Sequence, residues 1–203
     1  MPQRTSSAPR SDKAAHELIA IPSEQPQADL CEVWDRVAEG YNLDSYWGNP
    51  VHQAWYSALR ELIGDPVGLA CLEVGCGSGF QSLRLAEEGA RVSILDISER
   101  VVERARSVFA SVGTDLAGYY VSDALRSDLP SGGFDVVWNM GVIEHFSDEG
   151  KATLLREMVR LTRPGGKTIV MVPNRHCWPF RLAQAYQKHR GVWPYGDEDD
   201  MSP

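Results

Sequence analysis

Basic charge is in short supply in this sequence. Twenty Lys and Arg against 28 Asp and Glu leave the 203 residues at a formal charge of −8, whereas a wide nucleic-acid surface needs a surplus of cations on one face. No nucleic-acid partner is expected. Cysteine is scarce as well. Cys31, Cys71, Cys76 and Cys177 form no CxxC pair, and Cys71 and Cys76 fall in or beside an apolar run, so they read as reduced and structural. Long apolar runs are missing. No stretch is long enough to cross a bilayer and the N-terminal segment lacks the apolar core of a secretory signal, so no membrane partner and a soluble, cytoplasmic protein are expected. What the chain does have, 43% hydrophobic and 24% charged residues, suits one globular domain with a real core.

Residues 1–28 are rich in Ser, Pro, Gln and charge, and read as a flexible leader outside the fold. From residue 29 to 65, Leu30, Val33, Trp34 and Val37, then Trp55, Leu59, Leu62 and Ile63, recur at helical spacing around an aromatic segment, residues 41–50. Two helices around a loop are expected, with Trp34 and Trp55 on a buried face. From 66 to 173 short apolar runs alternate with amphipathic stretches, the pattern of βα units and a parallel sheet. Strands are expected over residues 70–74, 91–96, 118–121, 134–140 and 168–172, and helices over 81–88, 98–111 and 149–161. Residues 162–166, Thr-Arg-Pro-Gly-Gly, read as a turn into the last strand. In 174–203, basic and aromatic residues alternate before an acidic end, which suggests an amphipathic helix and a loop.

The chemistry gathers at the expected strand tips. Glu73-Val74-Gly75-Cys76-Gly77-Ser78-Gly79 follows the first strand and leads into a helix, where an α/β sheet opens a crevice. Glycines there accept positive φ and let a ligand come close to the backbone, with helix-start amides left to donate. A dinucleotide fingerprint wants glycine at position 80, which is Phe80, so a ligand without pyrophosphate fits better than NAD. Asp96 ends the second strand, placed to accept both hydrogens of a ribose diol, which implies a nucleoside; capping the helix after it is the alternative. Asp123 and Ala124 follow the third strand, where a carboxylate beside a small residue could take the exocyclic amine of adenine or simply satisfy loop amides. Asn139 lies at the end of the fourth, before Gly141-Val142-Ile143-Glu144-His145-Phe146.

Together these motifs resemble the class I methyltransferases that use S-adenosyl-L-methionine (SAM). The resemblance covers about residues 30 to 175 and also takes in Arg163-Pro164-Gly165-Gly166-Lys167, which looks like that family's turn before strand five. It implies a doubly wound, Rossmann-like α/β sheet, mainly parallel, of order 3-2-1-4-5. It implies SAM as cofactor, held by the backbone of Gly75, Cys76, Gly77 and Gly79, with Glu73 supporting the ammonium, Asp96 the ribose, and Ile97, Asp123 and Ala124 the adenine. Asn139 would lie on the crevice floor. Residues 29–65 would form a helical lid, with Tyr41 and Tyr46 the residues to test for contact.

Methyl transfer from a sulfonium asks mainly for alignment and exclusion of water. An oxygen or nitrogen acceptor also loses a proton, and His145 is the candidate base, with a structural role as its alternative. The family's sheet ends in a hairpin that this chain lacks, so 174–203 reads as an acceptor-side or truncated segment, and the exposed edge of strand five is expected to promote a homodimer or to lower stability. The expected function is methylation of a small-molecule acceptor. A module that binds SAM or another adenosine ligand without turnover remains open, and Phe80 disfavours a nicotinamide oxidoreductase.

Overall fold

The computed structural model describes residues 27–41, 46, 48–195 and 201. The expected leader up to residue 26 and most of the aromatic segment, residues 42–45 and 47, lie outside them. Two helices, α1 (Gln27–Glu39) and α2 (Pro50–Ile63), precede β1 (Ala70–Val74), α3 (Phe80–Glu87), β2 (Arg91–Asp96), α4 (Glu99–Ser111), β3 (Gly118–Val121) and β4 (Phe134–Met140). A 3₁₀ turn (Ile143–His145), α5 (Asp148–Leu161), β5 (Thr162–Met171) and α6 (Trp178–His189) follow. The five strands form one sheet of order β3-β2-β1-β4-β5, and every neighbouring pair is parallel.

Strand parity sorts the core into two layers, because alternate side chains of a strand leave by opposite faces. Cys71, Val92, Ile94, Val136 and Trp138 pack with Tyr56, Leu59 and Ile63 of α2 and Val101, Val102 and Ala105 of α4. Leu72, Val74, Leu95 and Val137 pack with Leu154, Met158 and Leu161 of α5. Both faces are covered, as a doubly wound sheet requires.

Two readings are corrected here. The buried face of α2 is Tyr56, Leu59 and Ile63, whereas Leu62 and Trp55 are exposed; the buried stripe runs one position over from Trp55. β5 starts at Thr162, directly after α5, and the stretch read as a turn is an irregularity inside the strand: Phe134 pairs with Thr162, but Val136 already pairs with Lys167. Gly166 lies so close to β4 that a Cβ on it would stand 2.6 Å from the Asp135 carbonyl.

Polar clamps fasten the peripheral pieces to the sheet. Lys167 donates to the carbonyls of Leu62 and Ile63 at 2.8 and 2.9 Å, a cation at the C-terminus of α2, where the helix dipole favours it. The hydroxyl of Ser98, which also caps α4 through Val101 N, donates to Asp35 of α1. Arg160 reaches Glu157, the carbonyls of Ser127 and Leu129, and Ser131, while Ser127 N donates to the same Glu157. The β3–β4 loop is thereby fixed, and Asp123 and Ala124 with it.

Candidate functional site

The parity that builds the core also assembles the site. Glu73 and Asp96 stand at odd and even numbers in their strands, yet the pairing of Glu73 with Ile94 puts them on one face of the sheet at its carboxyl edge. Both are buried, at 4% and 7% exposure, so two carboxyl groups have been taken out of water beside one another. The hydroxyl of Ser82 donates to Glu73. Asp96 accepts from Gly77 N at 3.3 Å and Ser98 N at 3.1 Å. Burial pushes the Glu73 carboxyl well above the carboxylate range, with Asp96 adding to the rise. Burial raises Asp96 to about 6, against the pull of its backbone donors. The cap of α4 is Ser98 and not Asp96, so the alternative role expected for Asp96, capping this helix, falls to its neighbour.

The glycine loop is tied down by its own amides. Gly75 N and Cys76 N both donate to Leu95 O, Gly77 N donates to Asp96, and Gly79 N donates to Cys76 O. These amides are spent inside the loop, lashing it to the end of β2. Gly75 has φ +70° and a Cβ there would lie 2.5 Å from Val142 Cγ2. Burial pushes the Cys76 thiol well up, so it is an inert wall.

A cavity of about 1100 Å³ opens over this edge. Of the residues expected for the cofactor or the chemistry, Glu73, Gly75, Cys76, Gly77, Asp96, Ile97, Asp123, Ala124 and His145 line it. Gly79 and Asn139 do not. A Cβ on Gly79 would meet Ala105 Cβ at 3.0 Å, so this glycine serves the packing of α3 on α4. Asn139 leaves β4 by the opposite face, where its side-chain amide donates to Met158 Sδ at 3.2 Å; its neighbour Met140 faces the cavity instead. Asp123 reaches the cavity while its Oδ1 accepts from Leu125 N at 2.8 Å.

Rings from the N-terminal helices close the near wall. Tyr46 packs on His52 at 4.2 Å and on Phe80 at 5.2 Å, and Tyr41 lies 6.3 Å from Tyr46. Burial pushes the Tyr41 phenol up and pulls the His52 imidazole below its ordinary value. Trp34 and Trp55, both expected on a buried face, line the cavity, and Trp34 also packs against the core as expected; Trp34 meets the edge of His145 at 5.2 Å and 84°. His52, Phe80, Gln81, Trp193 and Tyr195 also line it and were not singled out from sequence as contacts. The alternation of aromatics after residue 174 was the visible signal for the last two.

The acceptor chemistry of the cleft fits a nucleoside with an amino-acid tail. Glu73 and Asp96 are acceptors when ionised, and the buried Oε1 of Gln81 has no partner among the described residues. A ligand with many N–H and O–H donors suits such groups, and SAM carries a ribose diol, an ammonium and an exocyclic amine.

Fold and site thus define a doubly wound α/β domain with a cavity over the carboxyl ends of its strands, where such sheets take their ligands. A family model described as a methyltransferase domain matches residues 71–166. A ubiquinone biosynthesis O-methyltransferase of Xanthomonas oryzae pv. oryzae is 34% identical over 152 residues, 74% of this chain and 59% of that protein. A 2-methyl-6-phytyl-1,4-hydroquinone methyltransferase of Synechocystis is 29% identical over 75% of this chain and 54% of its own length. Among solved structures, a SAM-dependent methyltransferase from Mesorhizobium loti superposes with a TM-score of 0.51 at 29% identity, covering 60% of this chain and 55% of that one. Residues 71–166 belong to the methyltransferase domain family, and the fold is that of the class I SAM-dependent methyltransferases, whose cofactor is SAM. The chain spans a little over half the length of the curated relatives it matches. No helix among the described residues is long and apolar enough to cross a membrane.

Proposed function

We propose that this chain transfers a methyl group from SAM to an oxygen or nitrogen of a small-molecule acceptor. The observation that carries the reading is the pair Glu73 and Asp96, buried side by side at the sheet's carboxyl edge and facing a cavity. When bound, SAM supplies an electrophilic methyl group on a positively charged sulfur. Asp96 takes the ribose hydroxyls, and Glu73 takes the ammonium, whose charge relieves the strain of a buried carboxylate. Asp123 and Ala124 border the adenine, with Ile97 packed on it. The ring of His145 stands on the 3₁₀ turn after β4 and lines the same cavity. There the imidazole accepts the proton that an acceptor hydroxyl or amine gives up. The names of the relatives, an O-methyltransferase among them, support a small acceptor.

Release of S-adenosylhomocysteine (SAH) in the presence of an acceptor panel tests the activity, and SAM binding without release for any acceptor would favour a non-catalytic SAM module. His145→Ala is expected to bind SAH as tightly as the parent and to lose about a hundredfold or more in turnover with acceptors that must lose a proton. Turnover equal to the parent would remove the base from this position.

We also propose that two copies pair along β5, which among the described residues bonds only to β4 and so presents an open edge. Light scattering over a concentration series should show a dimer; a monomer throughout would contradict the pairing.

A further inference from the structure

We infer that Asp35 is a positioning residue for the cofactor: through the Ser98 hydroxyl it fixes the main chain that presents Asp96, and so joins the docking of α1 to the reading of the ribose. This rests on the ribose role proposed above for Asp96 and adds to it a residue outside the cavity lining. Ser98 is the junction. It is 1% exposed, and each of its polar groups is committed. Its N–H donates to Asp96 Oδ1 at 3.1 Å, its carbonyl accepts from Val102 N at 3.1 Å, its hydroxyl oxygen accepts from Val101 N at 3.0 Å, and its one hydroxyl proton goes to Asp35. A single residue thus holds the ribose acid, caps α4 and receives α1.

The sequence of α1 is spaced to reach that junction. Cys31, Asp35 and Glu39 recur every fourth residue and so share one face of the helix. That face runs along the segment from Ile97 to Arg104. Cys31 Sγ donates to Ile97 O at 3.6 Å, Arg100 stands 3.9 Å from Asp35 and 3.2 Å from Glu39, and Arg104 donates to Tyr41 O at 2.9 Å. Trp34, on the adjoining face, and Tyr41, just past the end of the helix, both line the cavity. The polar contacts are unequal. The side chains of Arg100 and Glu39 are 59% and 68% exposed, so water screens their pair and it contributes little. The bond from Ser98 to Asp35 is charge-assisted and closed to solvent on the Ser98 side, and a buried hydroxyl deprived of its acceptor is costly. Removing the Asp35 carboxylate frees the backbone of residues 96–98 on the side of α1, and the aim of Asp96 goes with it. Coupling is reciprocal, so a ligand that orders Asp96 through its ribose also favours the docked α1, with Trp34 and Tyr41 in place over the cavity.

The test compares SAH with 2′-deoxy-SAH, which lacks one of the two ribose hydroxyls, by calorimetry on the full chain. The parent should bind SAH at least about tenfold more tightly than the deoxy compound. D35A should weaken SAH about tenfold and 2′-deoxy-SAH about threefold or less, so that the preference for the intact ribose shrinks at least about threefold. D35N, whose Oδ1 still accepts from Ser98, and E39A, which removes only the exposed pair, should stay within about threefold of the parent for both ligands. Hydrogen exchange of the parent needs no variant: the amides of α1 should be slowed more by saturating SAH than by saturating 2′-deoxy-SAH. Equal losses for the two ligands in D35A would make Asp35 a packing residue and overturn the inference, as would a D35A that binds both like the parent, or equal protection of α1 by both. A loss in D35N as large as in D35A would trace the effect to the charge facing Arg100 and overturn the route through Ser98. A parent that binds SAH but does not distinguish it from the deoxy compound would overturn the inference at its root, by removing the ribose role of Asp96, and a parent that binds neither would remove the cofactor reading itself.

Discussion

Asp96→Ala is expected to weaken SAH binding by about 1.5–3 kcal/mol, from roughly tenfold to more than a hundredfold, the scale for losing hydrogen bonds to a charged acceptor. The same carboxyl gives the protein a characteristic pH response. Its value in the folded chain is about 6, raised from 3.8 by burial. A raised carboxyl favours the folded state most below its unfolded value, and that advantage disappears as the pH climbs through the folded value. The ligand-free domain should therefore lose about 3 kcal/mol of Asp96-linked stability between about pH 4 and pH 6. Glu73, raised in the same direction by burial, adds to the trend. Ligand binding has the opposite sign. Hydroxyl and ammonium donors need ionised acceptors, so SAH affinity should climb as the pH rises through about 6 and level off above it. Calorimetry across this range in the parent and in Asp96→Asn checks the claim. An affinity that stays flat with pH in the parent, or an Asp96→Ala variant that binds like the parent, would take Asp96 out of the site.

Gly75→Ala is expected to cost about 2–5 kcal/mol of stability. Two terms add. A φ of +70° costs a non-glycine residue about 1–2 kcal/mol, and a Cβ 2.5 Å from Val142 Cγ2 brings an overpacking cost of about 1–3 kcal/mol. Val142 is β-branched and partly packed against the α5 layer, so it cannot simply swing aside. The double variant Gly75→Ala, Val142→Ala should recover the second term and not the first, which a denaturation cycle of the four proteins measures directly. A Gly75→Ala protein as stable as the parent would mean that the loop relaxes freely.

The fold was largely legible in the sequence because the strands announce themselves. β1, β2, β3 and β4 coincide with the expected runs, since each is a short apolar segment between polar helices. β5 was legible only in its second half, because Pro164-Gly165-Gly166 carries the chemistry of a turn even where β4 holds it as a strand irregularity. The site was legible at the strand tips and less so elsewhere. Asn139 was placed by its position at a strand end, but strand parity, countable from Val136 and Trp138, sends it to the Met158 side. The glycine loop was correctly located, yet nothing in its residues reveals that its amides bond to Leu95 O. The aromatic walls were hidden for a different reason. Trp34, His145 and Tyr195 are far apart in sequence, and only the docking of α1 and the segment after α6 over the same edge brings them together.

A crystal structure of the chain grown with SAH addresses the central claim most directly. The ribose should sit on Asp96, the adenine between Ile97 and the Asp123–Ala124 loop, and the amino-acid end beside Glu73 and Gln81, with the sulfur turned toward His145. A nucleoside bound elsewhere on the molecule, or a cleft that stays closed to it at saturating concentration, would contradict the account.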